Sequence, residues 1–393
     1  MDPSYEATTL PMERVDFVAS AKFTIKTLYF LGSWVTPSST FQYKLYAFIA
    51  QIFGALTFAI NVNLMLPGVR DLENLMWSMP ISLTMLGYWT KLSNLYVRRH
   101  EVQEFFNLLN SDDSQVDSYK ELMIVKRANK YGKKLTYIWF WLFLTAGLSA
   151  LVTMMSSDPK VPYPIYYPDW RDGPRMFYAS CVYQTFCIIH GSLVNQSSDA
   201  LLPCFLTVLT GQIDALGWRL ENLRKLSQPS NGNEALIRKE FVNCVRRHKH
   251  LLKLSLRLQN MFSFVTFFQM CLAGIIVCGL IFQLSLLSPL DDPKMFLKLL
   301  SFASAIFLQV FLPCFTAYNV RIASQALNLK MYSADWIGLS QPLKRMIIIF
   351  MQRLQYPILI TVGGIIFLGM ENFMVVLKYS YSLYSLLRKV QSK

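Results

Sequence analysis

Charged residues are scarce: Asp, Glu, Lys and Arg make up 16% of the 393 residues, where a soluble domain carries about 25%. That deficit argues against an ordinary soluble surface. Histidine is rarer still. His100, His190, His248 and His250 stand in no metal-ligand spacing with a cysteine or an acid, and no His-Glu-x-x-His occurs. The seven cysteines (Cys181, Cys187, Cys204, Cys244, Cys271, Cys278 and Cys314) are scattered, which leaves neither a disulfide framework nor a zinc spacing. Gly-x-Ser-x-Gly, the P-loop and the dinucleotide fingerprint are all absent. Met1 to Thr40 lacks the charged-then-apolar layout of a cleaved leader, so the first apolar span is expected to insert unprocessed. No enzyme, no metal and no cofactor is expected. Asp-Arg-Tyr and Asn-Pro-x-x-Tyr are missing too, which disfavours a G-protein-coupled receptor.

What the chain has is apolar length. Hydrophobic residues make up 53% and aromatics 14%. Seven segments reach the roughly 20 residues that cross a bilayer: 42–66, 73–97, 131–155, 176–200, 262–287, 296–320 and 358–387. The expected fold class is all-α, a polytopic seven-transmembrane-helix membrane protein. An odd number of spans puts the two ends on opposite sides. Basic residues cluster from Arg14 to Lys44, Lys91 to Lys134, Arg219 to Arg257 and Arg321 to Arg353, and with the N-terminus inside these inner segments hold 28 of the 38 lysines and arginines. The positive-inside rule therefore predicts an intracellular N-terminus and an extracellular C-terminus, the reverse of a G-protein-coupled receptor. The same rule accounts for the net charge of +14 without nucleic acid.

Pro67-Gly68 ends the first span sharply. Outer connections are short except Ser156 to Arg175, whose prolines favour stiff extended backbone; its aromatics either roof a cavity or anchor at the headgroups. Inner connections read as helices. Leu206, Leu209, Ile213, Leu216, Leu220 and Leu223 recur at helical spacing, so the fourth span continues past the membrane until Pro229-Ser230-Asn231-Gly232-Asn233. Leu236 to Gln259 is again amphipathic, and His248 and His250 in its basic run are expected to be solvated. His190 is expected to be a hydrogen-bonded helix contact. Asn195-Gln196-Ser197 matches the glycosylation triplet but falls in a helix toward the inside, so it is discounted.

The last stretch carries the most specific pattern. Tyr332 and Trp336 are followed by Met351, Arg353, Gln355 and Pro357, then by Lys378, Ser380, Tyr381 and Ser382. This Tyr-x-x-x-Trp, Met-x-Arg-x-Gln-x-Pro, Lys-x-Ser-Tyr-Ser succession resembles the C-terminus of the insect odorant receptor family. From about Ala200 onward the resemblance rests on such motifs, and before that on span layout. It implies a subunit of a ligand-gated, non-selective cation channel opened by small volatile apolar odorants. It also implies a hetero-oligomer, a tetramer, with a coreceptor in the plasma membrane of olfactory sensory neurons. The chain lacks the long insertion between spans four and five that marks the coreceptor, so it resembles an odour-specific tuning subunit.

The resemblance also implies an organisation: a cytoplasmic arm over 1–40, spans one to six with an odorant pocket over 41–320, helical extensions near 201–260, an anchor segment over 321–357 and a pore-lining helix over 358–393. Tyr332, Trp336, Arg353, Gln355 and Pro357 are the expected subunit anchor, with Asp199 and His248 as further family-like positions; a basic surface lying on anionic lipid is the alternative for this region. Leu386 is expected at a hydrophobic gate, with Val390 one turn beyond and Ser382 and Tyr379 on the same stripe. Gly363, Gly364 and Gly369 are expected to admit a close backbone, and Glu371 and Lys378 to pair across a subunit boundary. By depth alone, the ligand candidates are Trp77, Ile81 and Thr84; Leu144, Gly147, Leu148 and Leu151; Ser180, Tyr183, Gln184 and Cys187; Ile276 and Gln283; and Phe302. A gustatory-receptor-like channel remains the near alternative. A small-molecule transporter is disfavoured, because no internal repeat or matched pair of broken helices is found.

Overall fold

The computed structural model describes residues 14–64, 72–152, 173–226, 234–287, 289–290 and 292–391; within them the side chains of 72–78, 146–147, 149–152, 387 and 390–391 are outside the description. The expected breaks at Pro67-Gly68 and Pro229 to Asn233, and the loop from Ser156 to Asp172, also lie outside the described residues. Nearly everything described is helix, as the apolar periodicity predicts. The elements are α1 (Lys22–Phe30), α2 (Phe41–Gln51), α3 (Thr57–Leu64), α4 (Leu72–Val97), α5 (Arg99–Leu109), α6 (Tyr119–Val152), α7 (Pro174–Glu221), α8 (Leu223–Leu226), α9 (Glu234–Leu286), α10 (Pro293–Tyr332), α11 (Gln341–Leu354), β1 (Thr361–Val362), β2 (Ile366–Phe367) and α12 (Met370–Gln391).

The first span is one helix from Phe41 to Leu64 with a wider π-turn over Ile52–Leu56. The turn brings Gly54 against His190 of α7, where a Cβ would lie 2.5 Å from the imidazole Nδ1. Only glycine permits that approach. Among the described residues, four helices are long and apolar enough to cross a membrane by length and composition: Phe41–Leu64, α7, α9 and α10.

Helices α7 and α9 hold 48 and 53 residues. At 1.5 Å per residue each runs over about 70 Å, more than twice the hydrocarbon thickness. Their far ends pair outside the bilayer. There Leu206, Leu209, Ile213, Leu216 and Leu220 of α7 are buried against the Ile237, Phe241, Cys244, Leu251, Leu254 and Leu258 stripe of α9. Helix α11 adds its own stripe, Leu343, Ile347, Phe350 and Leu354, spaced by four, three and four. Two of the chain's rare histidines belong to this core rather than to a solvated face. His248 is 3% exposed, edge-on to the Phe350 ring at 5.4 Å, and His250 is buried with its Nε2 2.8 Å from the Ser114 hydroxyl. The basic neighbours predicted water; the three- and four-residue apolar spacing, which places both on or beside the buried stripe, decided the matter.

Residues 358–369 correct the expected last span. They are not helical. Ile360 to Leu368 forms a small antiparallel turn in which Thr361 faces Phe367 and Val362 faces Ile366. Gly363 and Gly364 turn it with φ of 62° and 71°, values that side-chain-bearing residues rarely adopt. β-Branched residues crowd the segment, and Pro357 supplies no N–H to continue α11. The two glycines thus make a turn rather than a helix-packing seam, although Gly363 also fits tightly under Phe267, where a Cβ would meet the ring at 2.9 Å.

Candidate functional site

A cavity lies where α3, α4, α6, α7 and α10 converge. The cavity is about 80 Å³ and its wall is mainly apolar: Phe58, Ile81, Met85, Phe143, Ile188, Phe302 and Ile306. Polar groups are few. They comprise Thr84, Tyr88, Cys187, Ser192, Asn195 and Lys298, several of them already engaged. Thr84 donates to the Pro80 carbonyl, Tyr88 to Gln51 at 2.6 Å, and the Cys187 thiol to the Phe53 carbonyl at 3.5 Å. Just above, the Tyr183 hydroxyl donates to Thr57 at 2.7 Å, while His190 contacts the Leu31 carbonyl at 3.2 Å. These bonds tie α7 to the first span and fix one wall. The cavity is small, apolar and sparsely polar.

Of the residues expected to line such a space, Ile81, Thr84, Cys187 and Phe302 do. Tyr183 packs against the cluster formed by Phe58, Ile81, Met85 and Cys187. Ser180, Gln184, Ile276 and Gln283 are buried elsewhere between helices. Leu144 is half-buried, whereas Leu148 is 44% exposed on the outside of the bundle. Rotation about the helix axis is not visible in a single apolar run. The side chains of Trp77, Gly147 and Leu151 lie outside the described residues. Tyr88, Asn195 and Lys298 were not anticipated. Lys298 left a signal, since an ionisable residue inside an apolar span marks a functional position by default.

One step further along α4, α7 and α10 lies a buried ion pair. The Lys91 ammonium sits 2.7 Å from the Asp199 carboxylate and donates to Asn195 at 2.7 Å; Gln309 also donates to Asp199. Lys91 is therefore a bundle partner and not a loop charge, and Asp199 belongs to the bundle core. A second cavity of about 40 Å³ lies beyond this pair, bounded by Lys91, Asp199, Gln309, Phe262 and Leu368. Asn195 touches the first cavity and Lys91 the second, so the polar cluster is the partition between them. Leu368 stands two residues before α12.

Helix α12 is buried on one side only. Phe373 lies edge-on to Phe307 and Phe311, at 5.0 and 5.4 Å, and Ser380 donates to the Gly274 carbonyl of α9 at 3.0 Å. Tyr379, Ser382 and Leu386 are exposed on another side; the Val390 side chain is outside the described residues. Glu371 pairs with Arg321 of the same chain at 3.1 Å. Of the anchor residues, Tyr332, Arg353 and Gln355 are exposed, while Trp336 and Pro357 are half-buried, and the Trp336 indole donates to the Tyr332 carbonyl. Ile337, Ile349 and Tyr356 add exposed apolar area beside them.

Burial, assisted by the positive Arg353, lowers the pKa of His248 from 6.5 to about 4. The folded state thus holds this imidazole neutral. Its contribution is complete above pH about 6.5, and is lost as pH falls through the interval down to about 4. Between neutral pH and pH about 5 the loss is about 2 kcal/mol. Melting temperature of the detergent-solubilised protein should fall over that range, and His248→Gln should flatten the fall. An equally steep fall in the variant would exclude His248 as its source.

The architecture defines a class: a seven-helix membrane protein with a small, mainly apolar cavity within its bundle. A family model described as 7tm Odorant receptor matches residues 71–381. The chain belongs to that odorant receptor family. Odorant receptor 2a of Drosophila melanogaster is 24% identical over 365 residues, covering 90% of this chain and 92% of the relative. Odorant receptor 59b of the same species is 24% identical over 377 residues, with 93% and 92% covered. The solved structure of the insect olfactory receptor OR5 from Machilis hrabei superposes with a TM-score of 0.80 at 16% identity, covering 96% of this chain and all of that one. The same receptor in complex with eugenol gives 0.76 at 17%. At that identity the likeness shows the fold. The protein is a multi-pass membrane protein and an odorant receptor, not an enzyme.

Proposed function

We propose that this chain is the odour-specific subunit of a ligand-gated, non-selective cation channel, assembled with a coreceptor in the plasma membrane of olfactory sensory neurons. The observation that carries the reading is the pairing of an apolar cavity within the bundle with a final helix exposed along Tyr379, Ser382 and Leu386. A helix with one side buried and a serine- and tyrosine-bearing side open is suited to face water at a shared axis. Ile81, Thr84, Cys187 and Phe302 are the ligand contacts in this reading. Tyr332, Trp336, Arg353, Gln355 and Pro357 form the surface through which subunits hold one another. The route between site and pore runs through the Asn195–Lys91–Asp199–Gln309 cluster to Leu368 and α12. A ligand opens the pore to the extent that it favours the open arrangement over the closed one.

Expression with and without coreceptor, with currents recorded to an odorant panel, tests the reading. Current is expected only in the pair. Phe302→Ala should re-order the panel, since one methylene in an apolar cavity is worth about 1–3 kcal/mol. A C-terminal tag should stain in intact cells; staining only after permeabilisation contradicts the orientation on which the pore depends.

A further inference from the structure

A wider cleft opens beyond the bilayer where α6, α7 and α10 meet. It holds about 510 Å³, within the range of about 300–1,000 Å³ that small-molecule pockets occupy. Its lining carries charges of both signs, Arg127 and Lys330 against Asp214 and Glu221, together with the Tyr131 and Trp218 rings. That balance differs from the chain as a whole, whose net charge is +14. Asp214, Trp218 and Glu221 follow one another at four and three residues along one face of α7. The Lys330 side chain crosses α7 over Gly217, where a Cβ would meet its Cδ at 2.6 Å. Its ammonium thereby comes within 3.8 Å of the Asp214 carboxylate, near enough for attraction but too far for a hydrogen bond. Burial raises the Asp214 pKa even with Lys330 nearby, so this acid gains from a further cation. Among the described residues, no hydrogen bond or ion pair engages the side chains of Arg127, Tyr131, Trp218, Glu221 or Asn319.

These groups are ordered along the cleft. Helices α6 and α7 run antiparallel, with Ala128 against Gly211 and Glu121 against Arg219. Tyr131 therefore marks the end next to the spans, Trp218 and Glu221 the end farthest from them, and Arg127 lies between. Tyr131 and Asn319 stand at the inner limits of the apolar runs 131–155 and 296–320, so the cleft is continuous with the edge of the bilayer. We propose that it binds a zwitterionic phospholipid, with the phosphate on Arg127 and the ammonium end among Asp214, Glu221 and the Trp218 ring. A guanidinium presents the planar fork that phosphate oxygens match. Carboxylates and an indole face are the groups that hold an alkylammonium. Tyr131 and Asn319 can donate to the ester carbonyls of the glycerol region. An anionic lipid would satisfy the two cations and set its charge against Asp214 and Glu221. The site is separate from the odorant cavity and does not depend on it.

The test uses the full chain in detergent, stripped of copurified lipid, and follows its melting temperature against added phosphatidylcholine, phosphatidylglycerol of the same acyl chains, or soluble phosphocholine. Phosphatidylcholine should raise the melting temperature saturably, at a concentration about fivefold below that of phosphatidylglycerol. Phosphocholine, which brings no acyl chains to the bilayer edge, should need a far higher concentration than either lipid. Arg127→Gln should raise the half-saturating concentration of both phospholipids about fivefold or more. Glu221→Gln should raise that of phosphatidylcholine alone and so erase its advantage. Both positions are exposed, and Glu221 ends α7, where a negative charge does not stabilise a helix, so both variants should fold. Equal half-saturation in wild type and both variants overturns the proposal. Phosphatidylglycerol binding as well as phosphatidylcholine also overturns it, because the cleft is then only part of a basic surface. Phosphocholine as potent as the lipid overturns it in favour of a soluble ligand, and no stabilisation by any probe removes the site.

Discussion

Arg219→Ala should destabilise the protein by about 3–5 kcal/mol, the cost of removing one member of a buried ion pair. Arg219 is the hub of the packed region beyond the bilayer. Its Nε donates to Glu121 at 2.6 Å and its terminal nitrogen to Asp117 at 2.8 Å, with Glu240 at 3.5 Å. Arg247 joins the same carboxylates, reaching Asp117 at 2.9 Å and Glu121 at 3.3 Å. Glu121 is fully buried and the Arg219 side chain is 5% exposed, so solvent does little to replace what is lost. The network clamps the start of α6 to α7 and α9. Arg219→Lys should recover only part, because an ammonium lacks the planar fork that serves two carboxylates at once. The measurement is melting temperature in detergent together with surface abundance in cells. Wild-type values for Arg219→Ala would mean that the network contributes nothing net to stability.

Leu386→Ser should raise the resting current of the assembled channel about tenfold. Leucines from neighbouring subunits meeting at an axis exclude water, and a dry constriction blocks ions without any charge. Burying a leucine is worth about 1.5–3 kcal/mol, and about 1.4 kcal/mol is a factor of ten in an equilibrium. Leu386 is 59% exposed in the single chain, so it has a surface to give to partners. Tyr379 and Ser382 follow it down the same side of α12. Unchanged resting current and permeability, at normal surface abundance, would place Leu386 against lipid instead.

The fold was legible in the sequence to the extent that periodicity and length carry it. Seven apolar runs gave seven spans, and the leucine spacing from Leu206 to Leu223 gave the extension of α7. The failures have definite physical causes. Residues 358–369 are as apolar as a span, and hydropathy does not separate a β-branched turn from helix; Gly363-Gly364, so close after Pro357, was the available warning. His248 and His250 sit in a basic run, yet burial follows the helix face and not the local charge. Lys91 was counted with loop charges because its partner Asp199 is 108 residues away in sequence. In the candidate site, rotation about the helix axes was not legible. Ile81, Thr84, Cys187 and Phe302 came to one cavity, while Leu148 turned outward and Lys298 was passed over.

In the proposed function, a ligand in this chain's bundle opens a pore that the chain helps to line. Excised membrane patches carrying this chain and coreceptor, bathed without nucleotides and exposed to an active odorant, measure that most directly. A cation current that rises with the odorant and survives excision is expected, since the proposed function puts cavity and pore in one assembly. A response that vanishes on excision and returns only with added nucleotide would contradict it.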